Sequence, residues 1–174
     1  MASQTSPFPP VRRVVTGHSL DGTAVVMRDE VLDAKFWNPA SANPTYDLYR
    51  TDETPAAVAE ELNGGWVDNV AVKPGLTSPE GSTFRTFDLA PGSVVPMHGT
   101  VTIDYGVILK GEITMVLDDG SKTVLKEHDV VVQRSTMHAW RNESSEWTRM
   151  LFVMLPARKI TVDGKTLEEE RQGV

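Results

Sequence analysis

The second half of the chain alternates short apolar runs with turn residues. Runs rich in β-branched and aromatic residues predict strands at 82–89 ("STFRTFDL"), 105–111, 112–117, 122–125, 129–133, 138–142 and 148–155 ("TRMLFVML"). "DDGS" (118–121) predicts a hairpin turn, because Asp-Gly tolerates the positive φ that tight turns need. Short strands at this spacing are typical of an all-β sandwich or barrel rather than of βαβ units.

The first half of the chain is more mixed. "RRVVTG" (12–17) and "TAVVMR" (23–28) predict a hairpin, and "YDLYRT" (46–51) predicts a further strand. "TPAAVAEEL" (54–62) predicts one short helix, capped by Thr54 and ended by the glycines that follow.

These elements predict four parts in one domain. Residues 1–11, rich in Pro and Ser, are expected to be a disordered leader, and 12–79 an extension packing on the barrel. Residues 80–156 form the predicted barrel core. A small hairpin and a solvated tail are expected over 157–174, because Pro156 ends the barrel pattern.

Composition narrows the classes of partner. The 174 residues carry a net charge of −7 and only one adjacent arginine pair, which argues against a nucleic-acid partner. No apolar run approaches the ~20 residues of a membrane span, so no membrane partner is expected. Cysteine is absent, which rules out disulfides and thiolate chemistry. A cytoplasmic location is therefore the expectation.

Strand alternation brings a candidate site together. In a regular strand His98, Thr100 and Asp104 share one face, as do His138 and Trp140 in a later strand. If both faces turn inward, two imidazoles, a carboxylate and an indole meet inside one barrel. Buried polar groups of this kind must be hydrogen-bonded or bind a metal.

The segment around His98 resembles the first motif of the cupin superfamily. That motif runs from a glycine to His-x-His, then three or four residues to a Glu and six more to a glycine. This chain supplies Gly92, His98, Thr100, Asp104 and Gly111 in matching register, with Thr100 in place of the second His and Asp104 in place of the Glu.

The segment around His138 resembles the second cupin motif. That motif runs Gly-Asp, a β run, Pro-x-Gly-x-x-His, then three residues to an Asn. His138 and Asn142 stand in place, whereas His128, Gln133 and Ser135 replace the first glycine, the proline and the second glycine. The chain is thereby identified as similar to single-domain cupins found with secondary-metabolite biosynthetic enzymes, a likeness that extends to the opening "VRRVVTGHSLDG".

The resemblance implies a fold and an assembly. We expect a double-stranded β-helix, the jelly-roll cupin barrel, with an N-terminal extension that contains one short helix. We also expect a homodimer and a small-molecule substrate.

The resemblance also implies metal-ligand positions. His98, Asp104 and His138 map onto three of the four positions, and two histidines with one carboxylate are the set that holds non-haem iron. Two expectations stay open: no cofactor, or a single divalent ion of Fe, Zn, Mn or Ni.

Three functions follow from this site. The leading one is a lyase or isomerase in which His98, His138 and Asp104 perform acid–base catalysis. It would dehydrate, decarboxylate or move a double bond in an oxygenated, for example polyketide-derived, substrate. The alternatives are an iron-dependent dioxygenase and a non-catalytic small-molecule-binding cupin.

Side chains near the motifs are candidate substrate contacts. If the barrel holds a cavity, its walls would be Thr100, Tyr105, Trp140, Met115 and Phe152. Without a cavity, the aromatic and Met side chains would fill the core. Arg85 is expected at the surface, and neither His18 nor His128 is given a role.

Overall fold

Strands dominate the computed structural model, which describes residues 5–38, 41–58, 67–73 and 75–171. Fourteen strands lie in these ranges. They are β1 (Arg12–His18), β2 (Ala24–Val31), β3 (Thr45–Arg50), β4 (Thr83–Leu89), β5 (Val94–Gly99), β6 (Thr102–Lys110), β7 (Glu112–Leu117), β8 (Lys122–Lys126), β9 (Val130–Arg134), β10 (His138–Arg141), β11 (Thr148–Pro156), β12 (Thr161–Val162), β13 (Lys165–Thr166) and β14 (Glu170–Arg171).

Two five-stranded antiparallel sheets form the barrel. One sheet has the order β3-β4-β11-β6-β9 and the other β14-β5-β10-β7-β8. We call them the first and the second sheet. Buried side chains from both pack into one cluster: Leu89, Ile108, Met150, Phe152 and Met154 from the first, and Ile113, Leu125 and Trp140 from the second. The all-β jelly-roll prediction is confirmed.

The alternation along each strand explains this packing. From residue 148 to 155 of β11, the residues at even positions are buried and those at odd positions are half-buried, as expected for a strand with one face toward the core. β6 shows the same alternation over its first seven residues. The even-numbered residues of both strands therefore face the barrel interior.

The N-terminal extension differs in part from the prediction. Its hairpin, β1-β2, is confirmed, and β3 is an integral strand of the first sheet, paired with β4. Residues 54–58 are not helical, and the remainder of the predicted helix, 59–62, lies outside the described residues. Within the described ranges one helix, α1, spans Asn69–Val72 and begins where the Asp68 side chain accepts a hydrogen bond from the Val70 amide. No helix within the described ranges is long and apolar enough to cross a membrane.

The two ends of the chain both contact the barrel. The Ser6 hydroxyl donates to Asp88 Oδ2 at 2.6 Å, and the Pro9 carbonyl accepts from Arg149 at 2.9 Å, where a disordered leader was expected. At the other end, β12 and β13 form the predicted hairpin. The tail then adds β14 to the edge of the second sheet instead of remaining wholly in solvent.

The motif residue Asn142 ties a loop together. Its side-chain amide donates to the carbonyls of Leu89 and Glu146, at 3.0 and 2.8 Å, and its Oδ1 accepts from Ser144. The side chain is almost fully buried with every bond made. Asn142 therefore stabilises the connection between β10 and β11 through these hydrogen bonds.

Candidate active site

At one end of the barrel the chain passes twice between the sheets. Residues 100–101 connect β5 to β6, and residues 135–137 connect β9 to β10. The flanking residues form two cross-strand pairs: His98 lies opposite His138 in the second sheet, and Asp104 lies opposite Gln133 in the first. Directly opposed Cβ atoms lie about 5 Å apart. The two predicted histidines and the predicted carboxylate therefore project from facing sheets at the same end.

The first pair, His98 and His138, is called the histidine pair below. The ring centroids are 4.3 Å apart and the planes are tilted by 56°. The Nδ1 of each ring bonds a backbone carbonyl two residues earlier: His98 bonds Pro96 at 2.8 Å, and His138 bonds Thr136 at 2.9 Å. A carbonyl oxygen only accepts, so Nδ1 carries the proton in both rings. When either ring is neutral, its lone pair therefore lies on Nε2.

A bulge in β5 sets the orientation of His98. Between the pairs His138–His98 and Trp140–Val95, β5 advances three residues while β10 advances two. Pro96, which lacks an amide proton, lies in the extra segment and supplies the carbonyl that binds His98. Bulges re-aim side chains in this way and often occur beside active sites.

Burial keeps His138 neutral. Desolvation lowers its pKa to about 4, the neighbouring His98 contributes further by charge repulsion, and the bond to Thr136 opposes both. Because a charge on His98 makes protonation of His138 harder, the histidine pair takes up one proton far more readily than two.

Across the barrel, Thr83, Asp104 and Gln133 form what we call the polar row. Met154 lies opposite both Thr83 and Asp104, and Gln133 lies opposite Asp104 on its other side, so all three side chains project from one face. Each is only 3% exposed. Thr83 Oγ1, Asp104 Oδ1 and both polar atoms of Gln133 are buried without a hydrogen-bond partner.

The environment of Asp104 shifts its pKa in the opposite direction from that of His138. Burial raises the pKa of this carboxyl to about 6, against the hydrogen bond from Thr102 and the positive charge of Arg85, which lower it. A carboxyl with a pKa near neutrality can donate or accept a proton under ordinary conditions. The site thus combines the histidine pair, in which His138 is neutral, with a carboxyl whose pKa is raised to about 6.

Aromatic rings form the floor between the two sheets. Trp140 makes edge-on contacts with His138 and Phe152, with centroid distances of 5.6 and 5.7 Å. Gly106 makes this packing possible, because a Cβ there would lie 2.6 Å from the Phe152 ring and 2.7 Å from Val131. The predicted wall residue Met115 lies opposite Trp140 and packs against the same cluster.

Thr100 is buried where the first motif has its second histidine. Its hydroxyl hydrogen-bonds that of Thr102 at 2.6 Å, so it belongs to the same end of the barrel.

The expectation of one regular strand from His98 to Asp104 is wrong, because β5 ends at Gly99 in the second sheet and β6 begins at Thr102 in the first.

Two further sequence expectations are wrong. Tyr105 is 46% exposed and points out of the barrel, because it neighbours the inward-facing Asp104 in a regular strand. Arg85, expected at the surface, is buried in the inward face of β4, where it pairs with Asp47 at 2.8 Å and donates to the Gly75 carbonyl. Sequence reasoning also missed Thr83 and Gln133; the available signal was a lone glutamine in the apolar run "VVVQ".

The side chains of this site provide few ligands for a metal ion. Among the residues that the structure describes, no group of three or more His, Cys, Asp or Glu side chains is arranged to hold a metal. Catalytic zinc and facial-triad iron sites use three protein ligands, whereas the histidine pair supplies two nitrogens. A three-ligand site does not fit this arrangement, and the single divalent ion stays a prediction.

An open cleft of about 320 Å³ lies elsewhere, beside β3. Its lining includes Arg50, Asp52 and Lys73. The Asp52 carboxylate pairs with both basic groups, at 3.1 and 2.7 Å, so the charges of this cleft neutralise one another. The cleft contains neither the histidine pair nor the polar row.

Comparison with known proteins identifies relatives over nearly the whole chain. The Cupin domain family matches residues 85–154. Phomopsin biosynthesis cluster protein C′ of Diaporthe leptostromiformis is 38% identical over 171 residues, covering 95% of this chain and 90% of that protein. The cupin-domain-containing oxidoreductase fogC of Aspergillus ruber is 36% identical, covering 91% and 78%. Oryzines biosynthesis cluster protein J of Aspergillus oryzae is 32% identical, covering 93% and 92%.

Solved structures agree on the fold. The Cnp3 cupin domain of Schizosaccharomyces pombe superimposes with a TM-score of 0.52 at 11% identity, covering 86% of this chain and 89% of that one. The polyketide cyclase RemF of Streptomyces resistomycificus gives 0.50 at 14% identity, covering 82% and 81%. Together with the two motifs and the relatives above, these findings show that the chain belongs to the cupin family. Its relatives in that family include proteins named for fungal biosynthesis clusters.

Proposed function

We propose that this cupin is a biosynthetic enzyme of the lyase or isomerase class, which transfers protons on an oxygenated small molecule held in the barrel. The observation that carries the proposal is the paired tautomer: both imidazoles bind backbone carbonyls through Nδ1, which leaves both lone pairs on Nε2. Opposite them lies a buried carboxyl whose pKa is raised to about 6. Acid and base groups whose environments push their pKa values apart are typical of sites that transfer protons.

Under this proposal each group has its own role. The histidine pair accepts the proton of a carbon next to a carbonyl, and the electron pair of that C–H bond forms the new double bond. Asp104, in its protonated form, donates to the leaving oxygen, which departs as water in a dehydration. In an isomerisation, Asp104 would instead protonate the distant carbon of the same conjugated system.

Burial supports this division of labour. Water at the site would compete for the proton, and the floor of Trp140, Phe152 and Met154 is almost fully buried. Because His138 stays neutral down to a pKa of about 4, it is present as a proton acceptor across the physiological range. Polyketide-type substrates would suit this apolar floor, and the names of the relatives support a place in secondary metabolism.

The test is exchange of substrate carbon-bound hydrogen with solvent. The protein is incubated in D₂O, with a chelator, with a panel of β-hydroxy ketones, and deuterium uptake at the carbon next to the carbonyl is followed by proton NMR. We expect exchange by the wild type, a loss of about 10²-fold or more in His138→Ala, and exchange that continues without loss of water from the substrate in Asp104→Asn. His18→Ala is the control, because His18 is exposed on β1 outside the barrel. Exchange that persists in His138→Ala, or dehydration at the wild-type rate in Asp104→Asn, would reject the proposal, and tight binding without exchange would favour a non-catalytic cupin.

A second candidate is an oxidoreductase, favoured by the names of relatives such as fogC. His98 and His138 would supply two nitrogens to a divalent ion, fewer than the three protein ligands usual for such chemistry. Elemental analysis of the purified protein discriminates the two. Stoichiometric iron, lost together with O₂ consumption in His98→Ala, would replace the lead proposal with this one.

A further inference from the structure

The polar row contains more hydrogen-bonding capacity than the protein itself uses. Four of its polar atoms are buried without a partner: Oγ1 of Thr83, Oδ1 of Asp104, and Oε1 and Nε2 of Gln133. Leaving one such atom unpaired is costly, and four in one row would destabilise the fold markedly. All three side chains face the barrel interior, so a ligand there could satisfy them.

The chemistry of the row limits what that ligand can be. Gln133 offers a donor and an acceptor side by side, and Asp104 adds an acceptor on the adjacent strand. A ketone would leave the acceptors of the row unsatisfied, and an amine would leave the Gln133 donor unsatisfied. A neutral planar group with one donor and one acceptor complements the row.

The row also has an apolar neighbour. Met154 lies opposite both Thr83 and Asp104, and the Phe152 ring lies over Gly106, two residues further along β6. A ligand that reaches the row must therefore place apolar atoms against these side chains, and an aromatic or aliphatic ring attached to the polar group meets this condition.

We infer that the polar row binds a neutral carboxamide or lactam of the substrate, with Gln133 pairing with the amide through two hydrogen bonds. Gln133 stands where the second cupin motif has proline, so the residue that departs from the family pattern here determines specificity. This inference rests on the proposed function only in placing a substrate within the barrel, since amide binding requires no turnover.

Benzamide is the probe, because it joins a planar amide to an aromatic ring. The side-chain amide of Gln133 is observed in ¹H–¹⁵N spectra and assigned by its loss in Gln133→Met. We expect saturable shifts of this signal with benzamide and none with toluene, which offers only the ring. Shifts of equal size with both compounds would overturn the inference.

Variants separate recognition from folding. Gln133→Met should weaken benzamide binding about tenfold, the equivalent of one or two hydrogen bonds, and should raise the melting temperature because it removes two unsatisfied atoms. Thr83→Val should likewise weaken benzamide binding and raise the melting temperature. Val132→Met, on the outward face of the same strand, is the control and should leave binding unchanged.

The outcomes distinguish this inference from the proposed function. A lower melting temperature in Gln133→Met would mean that the amide has protein partners, and undiminished benzamide binding would mean that it does not recognise the ligand; either result overturns the inference. Benzamide binding at Gln133 by a protein that exchanges no protons would leave the inference standing and reject the proton-transfer function.

Discussion

Asp88 and Arg149 form a buried ion pair that joins the N-terminal segment to the first sheet. The guanidinium of Arg149 donates from Nε and Nη2 to the two carboxylate oxygens of Asp88, at 2.6 and 2.8 Å. The Asp88 side chain is completely buried and that of Arg149 is 11% exposed. Ser6 donates a third bond to Asp88, and the Phe8 ring lies 5.1 Å from the guanidinium carbon.

Asp88→Asn should be severely destabilising. The substitution keeps the size of the side chain but leaves the guanidinium of Arg149 buried without a counter-charge and sets an amide N–H against one of its donors. Breaking a buried pair by removing one partner costs about 3–5 kcal/mol. Urea unfolding at pH 7 measures the loss, and an unchanged slope would show that the change lies in stability alone.

The chain contains a matched control for this prediction. Arg12 and Asp29 make the same two-bond geometry, from Nε at 2.7 Å and from Nη2 at 2.6 Å, but their side chains are 66% and 47% exposed. Asp29→Asn should have a small effect that shrinks further in salt, because water and ions screen an exposed pair. Equal losses in the two variants, or a loss below about 1 kcal/mol in Asp88→Asn, would refute the reasoning that burial sets the magnitude.

Three further predictions concern the barrel. As the pH falls from 7 to 4, protonation of His138 should lower the free energy of unfolding of the protein by about 3 kcal/mol, because the pKa of this ring is about 4 in the folded state and 6.5 in the unfolded state. Protonation of Asp104 should raise the free energy of unfolding by a similar amount, because the pKa of this carboxyl is about 6 in the folded state and 3.8 in the unfolded state. In urea unfolding, His138→Gln should therefore become more stable than the wild type on acidification, and Asp104→Asn should become less stable than the wild type. Curves of stability against pH that run parallel for the variants and the wild type would contradict this. His128→Gly should stabilise by up to about 1 kcal/mol, since His128 has a φ of 74°, whereas Glu127→Gly next to it should destabilise; losses in both would show that the positive φ costs nothing. Gly106→Ala should cost about 1–3 kcal/mol, because its Cβ would collide with the Phe152 ring, and an unchanged midpoint in urea would refute that packing.

Local patterns predicted most of the barrel. Period-two alternation and Gly/Asp turn signals depend on neighbours in sequence, so β6, β7 and β11 were predictable within a few residues. The same alternation predicts that Asp104 faces the barrel interior. Because the next residue of a strand points to the opposite face, it also predicts that Tyr105 faces outward. At the two motif glycine positions now held by His128 and Ser135, φ is 74° and 52°, so the backbone keeps the shape of the motif although the side chains have changed.

The parts that could not be predicted depend on long-range pairing. Arg85 is buried because Asp47, 38 positions earlier, meets it across β3 and β4, and no local signal reports that partner. Gln133 faces the barrel interior because β9 pairs with β6 in one register, which is a property of the folded sheet. The predicted helix near residue 54 rested on capping signals, and propensity is weak against the tertiary context.

The central claim is that His98 and His138 carry the proton on Nδ1 when they are neutral, so that both then present Nε2 as the proton acceptor. Long-range ¹H–¹⁵N correlation spectra of the histidine side chains report the tautomer of each ring as a function of pH. We expect the Nδ1–H form for each ring when it is neutral, and His138 neutral until the pH approaches about 4. An Nε2–H tautomer in either ring, or titration of His138 near the ordinary histidine pKa, would contradict it.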